Sequence, residues 1–392
     1  MTAADTPRRG TVPALALIAA MGSMGIHMLV PALPRIAAEL AIGEARAQQV
    51  VSFYLAGLAG GQLVAGPLID RLGRRPVMLA GLALYIAGAV LAALAPNPAQ
   101  LLLARLIQAS GGACGVVTAR VMVGDLFGPA KAAGVQATLM AIVLISPAFA
   151  PVIGGTVADL AGWRAIFALL ACAGLIGMAA AVQRLPETRK AAPARAASAS
   201  LAASYLRLVR NRRFTLTTCA LGAASSGLYM FLGAAPFLLT HRFGLAASEA
   251  GLALLTVAAT SILGTRLVVV AQRHGDGLVY GTISAAVGAA IALILALSGV
   301  QSLAAFIAPF LLLGLGAGLA GPVAFNAVAF AEPGLAATAT SLAGAMQMLA
   351  SGAAMTLLGL FAPVDPLRLA VALCFSTATA LSCAVLARRV KL

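Results

Sequence analysis

Twelve apolar runs, each long enough to cross a bilayer, follow one another along the 392 residues of this chain. They occupy residues 12–33, 48–69, 77–94, 101–123, 133–157 and 164–182, then 214–238, 248–270, 277–297, 302–323, 337–360 and 367–386. A spanning helix needs about 17–25 such residues. In lipid the backbone must satisfy its own hydrogen bonds, which leaves helices or closed barrels. No long stretch alternates with period two, so helices are expected. Charged residues are only 9% and hydrophobic residues 61%, against about 25% charged in a soluble domain. That excludes a water-soluble enzyme, a disordered chain and a secreted disulfide scaffold. The first run follows Arg8 and Arg9 as a signal peptide would. It is too long for one, and eleven runs follow, so a retained helix is expected.

The formal net charge is +15. With the N-terminus inside and twelve crossings, 20 Lys/Arg fall on the inner side and 5 on the outer side, with Arg105 inside a span. This is the bias of the positive-inside rule, and it places both termini in the cytoplasm of a multi-pass inner-membrane protein. The basic balance therefore reports topology. No basic stretch is interleaved with aromatics, so nucleic acid is not an expected partner. The longest polar interruption, residues 184–213, divides the chain into residues 1–183 and 214–392 with a cytoplasmic linker between them. The linker ends in a basic amphipathic segment. Six spans in each half is the pattern of repeat-built transporters, with a substrate site between the halves near the midplane.

Enzyme chemistry is not expected. Each of the eleven acidic residues lies in a loop or near a span end, so no membrane carboxylate pair exists. His27, His241 and His274 lie in different segments, the five cysteines sit in apolar runs without metal spacing, and no phosphate loop occurs. No metal and no cofactor is predicted.

The loop after the second run reads Gly66-Pro-Leu-Ile-Asp70-Arg71-Leu-Gly73-Arg74-Arg75-Pro76. It resembles the signature loop G-x-L-x-D-R-x-G-R-R-P of the major facilitator superfamily. Gly66 would let helices approach, and Gly73 would take a left-handed conformation. The resemblance implies a cytoplasmic latch in one access state. Asp70 would face the start of span eleven, around Ala336 to Thr340, with Arg71, Arg74 and Arg75 as further partners. Asp125, in the segment beginning at Arg120, would be a second member. Span four carries Arg105, Gln108 and Gly111-Gly112, similar to the superfamily's second motif. An Arg inside a span is costly and should face a polar cavity or a partner. The competing role is a snorkelling Arg near the outer end. Span five carries Pro147, Pro151, Gly154 and Gly155, similar to the antiporter motif of drug exporters, with Ser146 and Ala150 at two of its glycine positions. A Pro-kinked packing helix is the plainer alternative.

Span one ends Gly25-Ile26-His27-Met28-Leu29-Val30-Pro31-Ala32-Leu33-Pro34, similar to the stretch I-D-M-Y-L-P-A-L-P of the bicyclomycin/chloramphenicol-resistance type (Bcr/CflA) exporters. These carry Asp where this chain has His27. By helix rise, His27 and Arg105 lie roughly 9 and 6 Å from the outer ends of their spans, so the two could meet in the central cavity; the equal alternative is that His27 merely hydrogen-bonds a neighbour. A histidine there forms no ion pair with Arg105; it is expected to be mostly neutral at pH 7 in at least one access state and could carry a proton in the other. Met24, Met28, Tyr54, Tyr229, Asn326 and Gln347 are candidate cavity-lining residues. Each polar one could equally be an interhelical hydrogen bond.

The fold expected is an all-α membrane protein: twelve transmembrane helices in two six-helix bundles. The resemblance implies a monomeric secondary transporter, exporting small amphipathic molecules of the drug-efflux and antibiotic-resistance type by alternating access. Its partners are the small-molecule substrate, protons and the lipid bilayer. The alternatives are a metabolite exporter or facilitator without proton coupling, and a membrane sensor that has kept the fold.

Overall fold

The computed structural model describes residues 10–189, 201–274, 276–300, 302–332 and 335–390. Within these, the side chains of 128–134, 137, 140, 141, 143–145, 201, 202 and 337 are not described. The middle of the linker, 190–200, lies outside the described residues.

Regular structure is helical throughout the described residues. The elements are α1 Thr11–His27, a 3-10 turn Val30–Ala32, α2 Leu33–Glu39, α3 Glu44–Leu72, α4 Arg74–Ala93, α5 Pro98–Ala161 and α6 Trp163–Arg184. After the linker come α7 Leu201–Arg210, α8 Arg212–Phe243, α9 Ala247–His274, α10 Gly277–Leu297, α11 Leu303–Ala329, α12 Ala336–Gly359 and α13 Pro366–Arg389. Among the described residues, eleven segments are long and apolar enough to cross a membrane.

Two segments depart from the runs expected. The first run is not one helix: α1 stops at His27 and resumes as α2 at Leu33. Pro31 supplies the reason, because it has no N–H and its ring blocks an α-helical continuation. The Leu29 N–H turns to the carbonyl of Ile26 at 3.2 Å, one residue short of the α pattern. This frees the Gly25 carbonyl for another partner. The fourth and fifth runs, expected as separate helices, form one continuous 64-residue α5. A straight helix of that length measures about 96 Å. Yet Arg164, just past its C-terminus, donates to the carbonyl of Ala95, just before its N-terminus, at 3.2 Å. α5 therefore doubles back, and its backbone stays helical through the reversal. Its first limb carries Arg105 and Asp125, its second Pro147 to Gly155.

The end of the molecule bearing the Gly66–Pro76 loop is called the loop end, and the opposite end the far end. α7 lies at the loop end. Leu208 is buried against Phe214 and Val328, and Arg207 pairs with Glu332. Asn211 caps α8 by accepting from the Phe214 N–H at 3.1 Å, and it donates to the Ala331 carbonyl at 2.8 Å. The expected amphipathic tail of the linker is thus pinned to the end of α11.

The halves meet along α3 against α12 and along the second limb of α5 against α9. Small residues set the spacing. A Cβ on Gly359 would touch Ala45 and Gln48, one on Gly352 would touch Ser52, and one on Gly344 would meet Gln62. Beyond Gln62, towards the loop end, Asp70 is 77% exposed. The halves are closed on each other at the far end, and α3 emerges from the seam before its end.

Candidate functional site

Arg105 lies at the centre of the N-terminal half, fully buried. Its guanidinium donates to the Gly25 carbonyl at 2.7 Å, to Gln108 Oε1 at 2.6 Å and, more weakly, to the Val50 carbonyl at 3.4 Å. It lies 3.8 Å from the centre of the Tyr54 ring and 5.5 Å from that of Phe167. A cation in this setting needs such acceptors and ring faces, since no carboxylate is among these contacts. The break in α1 supplies the best of them: the carbonyl freed at Gly25 is the one Arg105 takes. Two tyrosines extend the arrangement along α1. Tyr54 donates to the Gly22 carbonyl at 3.1 Å and Tyr85 to the Met21 carbonyl at 3.2 Å. Gly25 has no room for a Cβ, because the Tyr54 hydroxyl occupies that place. Three helices, α3, α4 and α5, therefore donate to carbonyls of α1 in one polar knot. The amide nitrogen of Gln108 is buried without a partner.

The expected meeting of His27 with Arg105 does not occur. Residues two apart on a helix point about 200° apart, so Gly25 faces Arg105 while His27 faces away. His27 Nδ1 instead lies 2.9 Å from the Ser23 carbonyl, with the Ser23 hydroxyl at 3.3 Å. A carbonyl only accepts, so Nδ1 carries the proton in this arrangement. Ser23 and Met24 beside it are half-buried. Met28 is fully buried, its carbonyl lying where a Cβ of Gly154 would go. Met28 and Tyr54 are fully buried packing elements. Tyr229 is buried at 8% exposure on α8. Gln347 donates to the Ser225 hydroxyl at 2.6 Å, an interhelical bond within the C-terminal half. Of these candidates, Asn326 lines a cavity, at the loop end of that half.

The signature loop builds a clasp inside the N-terminal half. Arg74 Nε donates to Asp125 Oδ2 at 2.9 Å, and the Thr188 hydroxyl donates to the same oxygen at 2.8 Å. The Glu187 carboxylate accepts the backbone N–H groups of Arg74 and Arg75, each at 3.0 Å. Burial acts to raise the pKa of Glu187. The backbone N–H groups of Arg189, Arg74, Arg75 and Thr188 outweigh it and hold the carboxyl below its usual range. Gly73 takes φ +101°, and Glu187 fills the space of its missing Cβ, so glycine is required there twice over. Arg75 donates to the Val182 carbonyl at 2.8 Å, and the Arg71 carbonyl accepts from Arg189 at 2.7 Å.

Among the described residues Asp70 makes no bond to α12 and pairs with Arg74 at 3.9 Å. The cause is the far-end closure, which leaves the end of α3 outside the seam. Gly66 has open space where a Cβ would go, so it mediates no close approach. Arg120 is exposed and takes no part in the clasp.

At the far end, bonds cross between the halves. Asp159 accepts from the Ser248 N–H at 2.8 Å and from Arg35 at 2.5 Å. Glu44 accepts from the Val364 N–H at 3.3 Å and has His241 Nδ1 at 3.4 Å. The antiporter-like glycines lie here. A Cβ on Gly155 would strike the Ala247 carbonyl, and Gly251 opposite abuts the Pro151 carbonyl. The seam also buries Gln48 with both amide atoms unpaired and Ser52 with its hydroxyl unpaired. Glu44, Asp159 and Gln48 escaped the sequence reading because residues at helix ends look solvated. Tyr85, Phe167 and Glu187 escaped because their roles depend on partners 20 or more positions away.

Two helical halves of like arrangement, closed on each other at one end beside a buried polar knot, define a membrane carrier of the alternating-access kind. The chain belongs to the Major Facilitator Superfamily, whose match covers residues 15–355. It is 32% identical over 329 residues to the chloramphenicol resistance protein of Pseudomonas aeruginosa, covering 82% of this chain and 77% of that protein. It is 28% identical over 341 residues to multidrug resistance protein D of Escherichia coli strain K12, covering 86% of this chain and 85% of the relative. A solved bacterial homologue of the human lysosomal transporter Spinster, in an inward-facing and occupied conformation, superposes with TM-score 0.76 at 16% identity over 96% of each chain. A D-xylose–proton symporter gives 0.75 at 14% identity, covering 96% of this chain and 97% of the other. These two show the shared fold.

Proposed function

We propose that this protein exports small amphipathic molecules across a bacterial inner membrane by alternating access, with inward proton flow as the driving force. The supporting observation is the seam. The halves are tied at one end by Asp159, Glu44 and the glycines of α5, while the signature loop stays with its own half. This is the arrangement of a carrier open towards the loop end. The positive-inside bias makes that end cytoplasmic, with both termini inside. The reversal of α5 supports twelve crossings. The units are residues 1–183 and 214–392 with the linker 184–213 between them, in a single chain acting alone.

Relatives named for chloramphenicol and multidrug resistance favour drug-like substrates. A buried Arg105 without a carboxylate partner favours neutral or anionic compounds over organic cations. In this reading Arg105 and Gln108 order the span-one break beside the substrate path, and His27, on the opposite face of α1, carries the proton. A second reading, export without proton coupling, is favoured by the absence of a carboxylate from the contacts of Arg105. Purified protein in vesicles with a panel of amphipathic substrates tests both. Efflux that follows an imposed proton gradient and is lost in His27→Gln supports coupling through His27. Efflux that persists after collapse of the gradient supports the uncoupled reading, and binding without flux overturns export.

A further inference from the structure

The loop end of the C-terminal half holds a cavity of about 510 Å³. Its lining residues are Arg213, the last residue of the linker, and residues of that half, so it lies apart from the seam. Arg213 at the start of α8 and Arg388 at the end of α13 line it, with the amides of Gln272 and Asn326. Leu278 and Phe330 contribute apolar wall.

The two halves repeat the same helix order. The helices that meet here, α8, α9, α10, α11 and α13, correspond to α1, α3, α4, the first limb of α5, and α6. In the N-terminal half that place is filled. Arg74, the first residue of α4, reaches Asp125 on α5, and Glu187 and Thr188 complete the plug. In the C-terminal half the contacts Gly281–Gly316 and Gly288–Leu313 match Gly81–Gly111 and Gly88–Gln108, which puts His274 in the place of Arg74 and Phe330 in that of Asp125; His274 lies 2.9 Å from the carbonyl of Val270 on its own helix, and the Phe330 side chain has no acceptor. Charge has moved from the plug to the walls. Among the described residues, neither Arg213 nor Arg388 has an ion pair. Asp276 also lines the cavity, but its Oδ1 is held by the Leu278 N–H at 2.9 Å as the helix cap. The lining thus carries two guanidiniums and one carboxylate, a positive balance.

We propose that this cavity binds a phosphate-bearing anion, which takes the place filled in the other half by the protein's own clasp. Guanidinium groups pair with phosphate oxygens through parallel N–H donors, and the volume falls within the range of small-ligand sites. The phosphate comes either from a free anion in the cytoplasm or from the headgroup of an anionic lipid. Bound there, it bridges the ends of α8, α11 and α13 and stiffens the C-terminal half at the end that must part during transport.

The test uses the full chain and reads thermal unfolding without any transported substrate, so it stands or falls separately from export. One arm titrates inorganic phosphate into protein in uncharged detergent, with sodium chloride at equal ionic strength as the control. The other compares phosphatidylcholine nanodiscs with and without phosphatidylglycerol, in phosphate-free buffer. A saturable rise in unfolding temperature in the first arm assigns a free anion; a rise only in the second assigns a lipid headgroup. In either case the apparent affinity falls about tenfold or more in Arg213→Gln/Arg388→Gln, the loss of charge-assisted bonds. Asn326→Leu, at an exposed position, serves as the second variant and also weakens the response. No rise in either arm, or an equal rise in the variants, overturns the proposal.

Discussion

The two ends of this molecule handle carboxylates in opposite ways. At the far end, Asp159 and Glu44 on the N-terminal half accept backbone N–H groups of the C-terminal half, Ser248 and Val364. At the loop end, Asp125 and Glu187 accept from residues of their own half, Arg74 and Arg75. The far-end acids can therefore sense whether the halves are together, and the loop-end acids cannot. Holding the loop in shape and holding the gate shut are thus separate tasks. Asp70, 77% exposed, is the acid of the signature loop that stands outside this clasp.

The sharpest way to break this contrast is at the backbone contacts. Gly155→Leu puts a side chain where the Ala247 carbonyl lies. Overpacking of about 2 kcal/mol or more against the closed far end corresponds to about thirtyfold in its population. Spin-label distances between α3 and α12 should lengthen at their far ends, and export should fall with them. Asp159→Ala should act in the same direction but less. The carboxylate is partly exposed, so the bond to Ser248 is discounted to about 1 kcal/mol, roughly fivefold. An unchanged distance distribution would remove Asp159 from the gate.

Gln48→Met should act with the opposite sign. It removes a buried amide with no partner in the closed seam, so the closed far end gains about 1 kcal/mol. The same labels should show a narrower, shorter distance, and outward opening should slow about fivefold. The smallest effect on the seam is expected from Glu187→Gln. Amide exchange at Arg74 and Arg75 should speed up while the far-end distances stay the same. The folded pKa of Glu187 lies below its ordinary value. Its contribution is therefore present at and above the usual carboxylate pKa of about 4.3, and it is lost as pH falls through the lowered value. Between pH 5 and 8, exchange at these amides should carry no titration of Glu187. A far-end response to Glu187→Gln would sink the separation of the two tasks.

Much of this was readable from the chain, and the misses share one cause. Arg105 stood out because a cation in an apolar run must have a partner. Naming the partner required knowing which way each residue of α1 points, and the reading set His27 opposite it. Pro31 was in view, yet its effect on the Gly25 carbonyl appears only once the break in α1 is placed beside α5. The signature loop announced Asp70, but Arg74 with Asp125 forms the observed clasp, because closure elsewhere leaves Asp70 outside. Gly154 and Gly155 stand out in span five by their spacing to Pro147 and Pro151. Their contacts with Met28 and Ala247 depend on the reversal of α5, which no local pattern encodes.

The sequence alone determined that this chain is a bundle of apolar helices in two halves, because the cost of exposing backbone to lipid acts on every residue and leaves a strong periodic record. Its 9% of charged residues lie almost entirely at helix ends, for the same reason. Only the tertiary structure decided which carbonyl Arg105 takes, which acids cross the seam and which helix ends enclose the cavity beside Arg213 and Arg388. Those outcomes depend on directions and spacings of a few ångströms between distant segments, and single side chains leave no periodic trace of them.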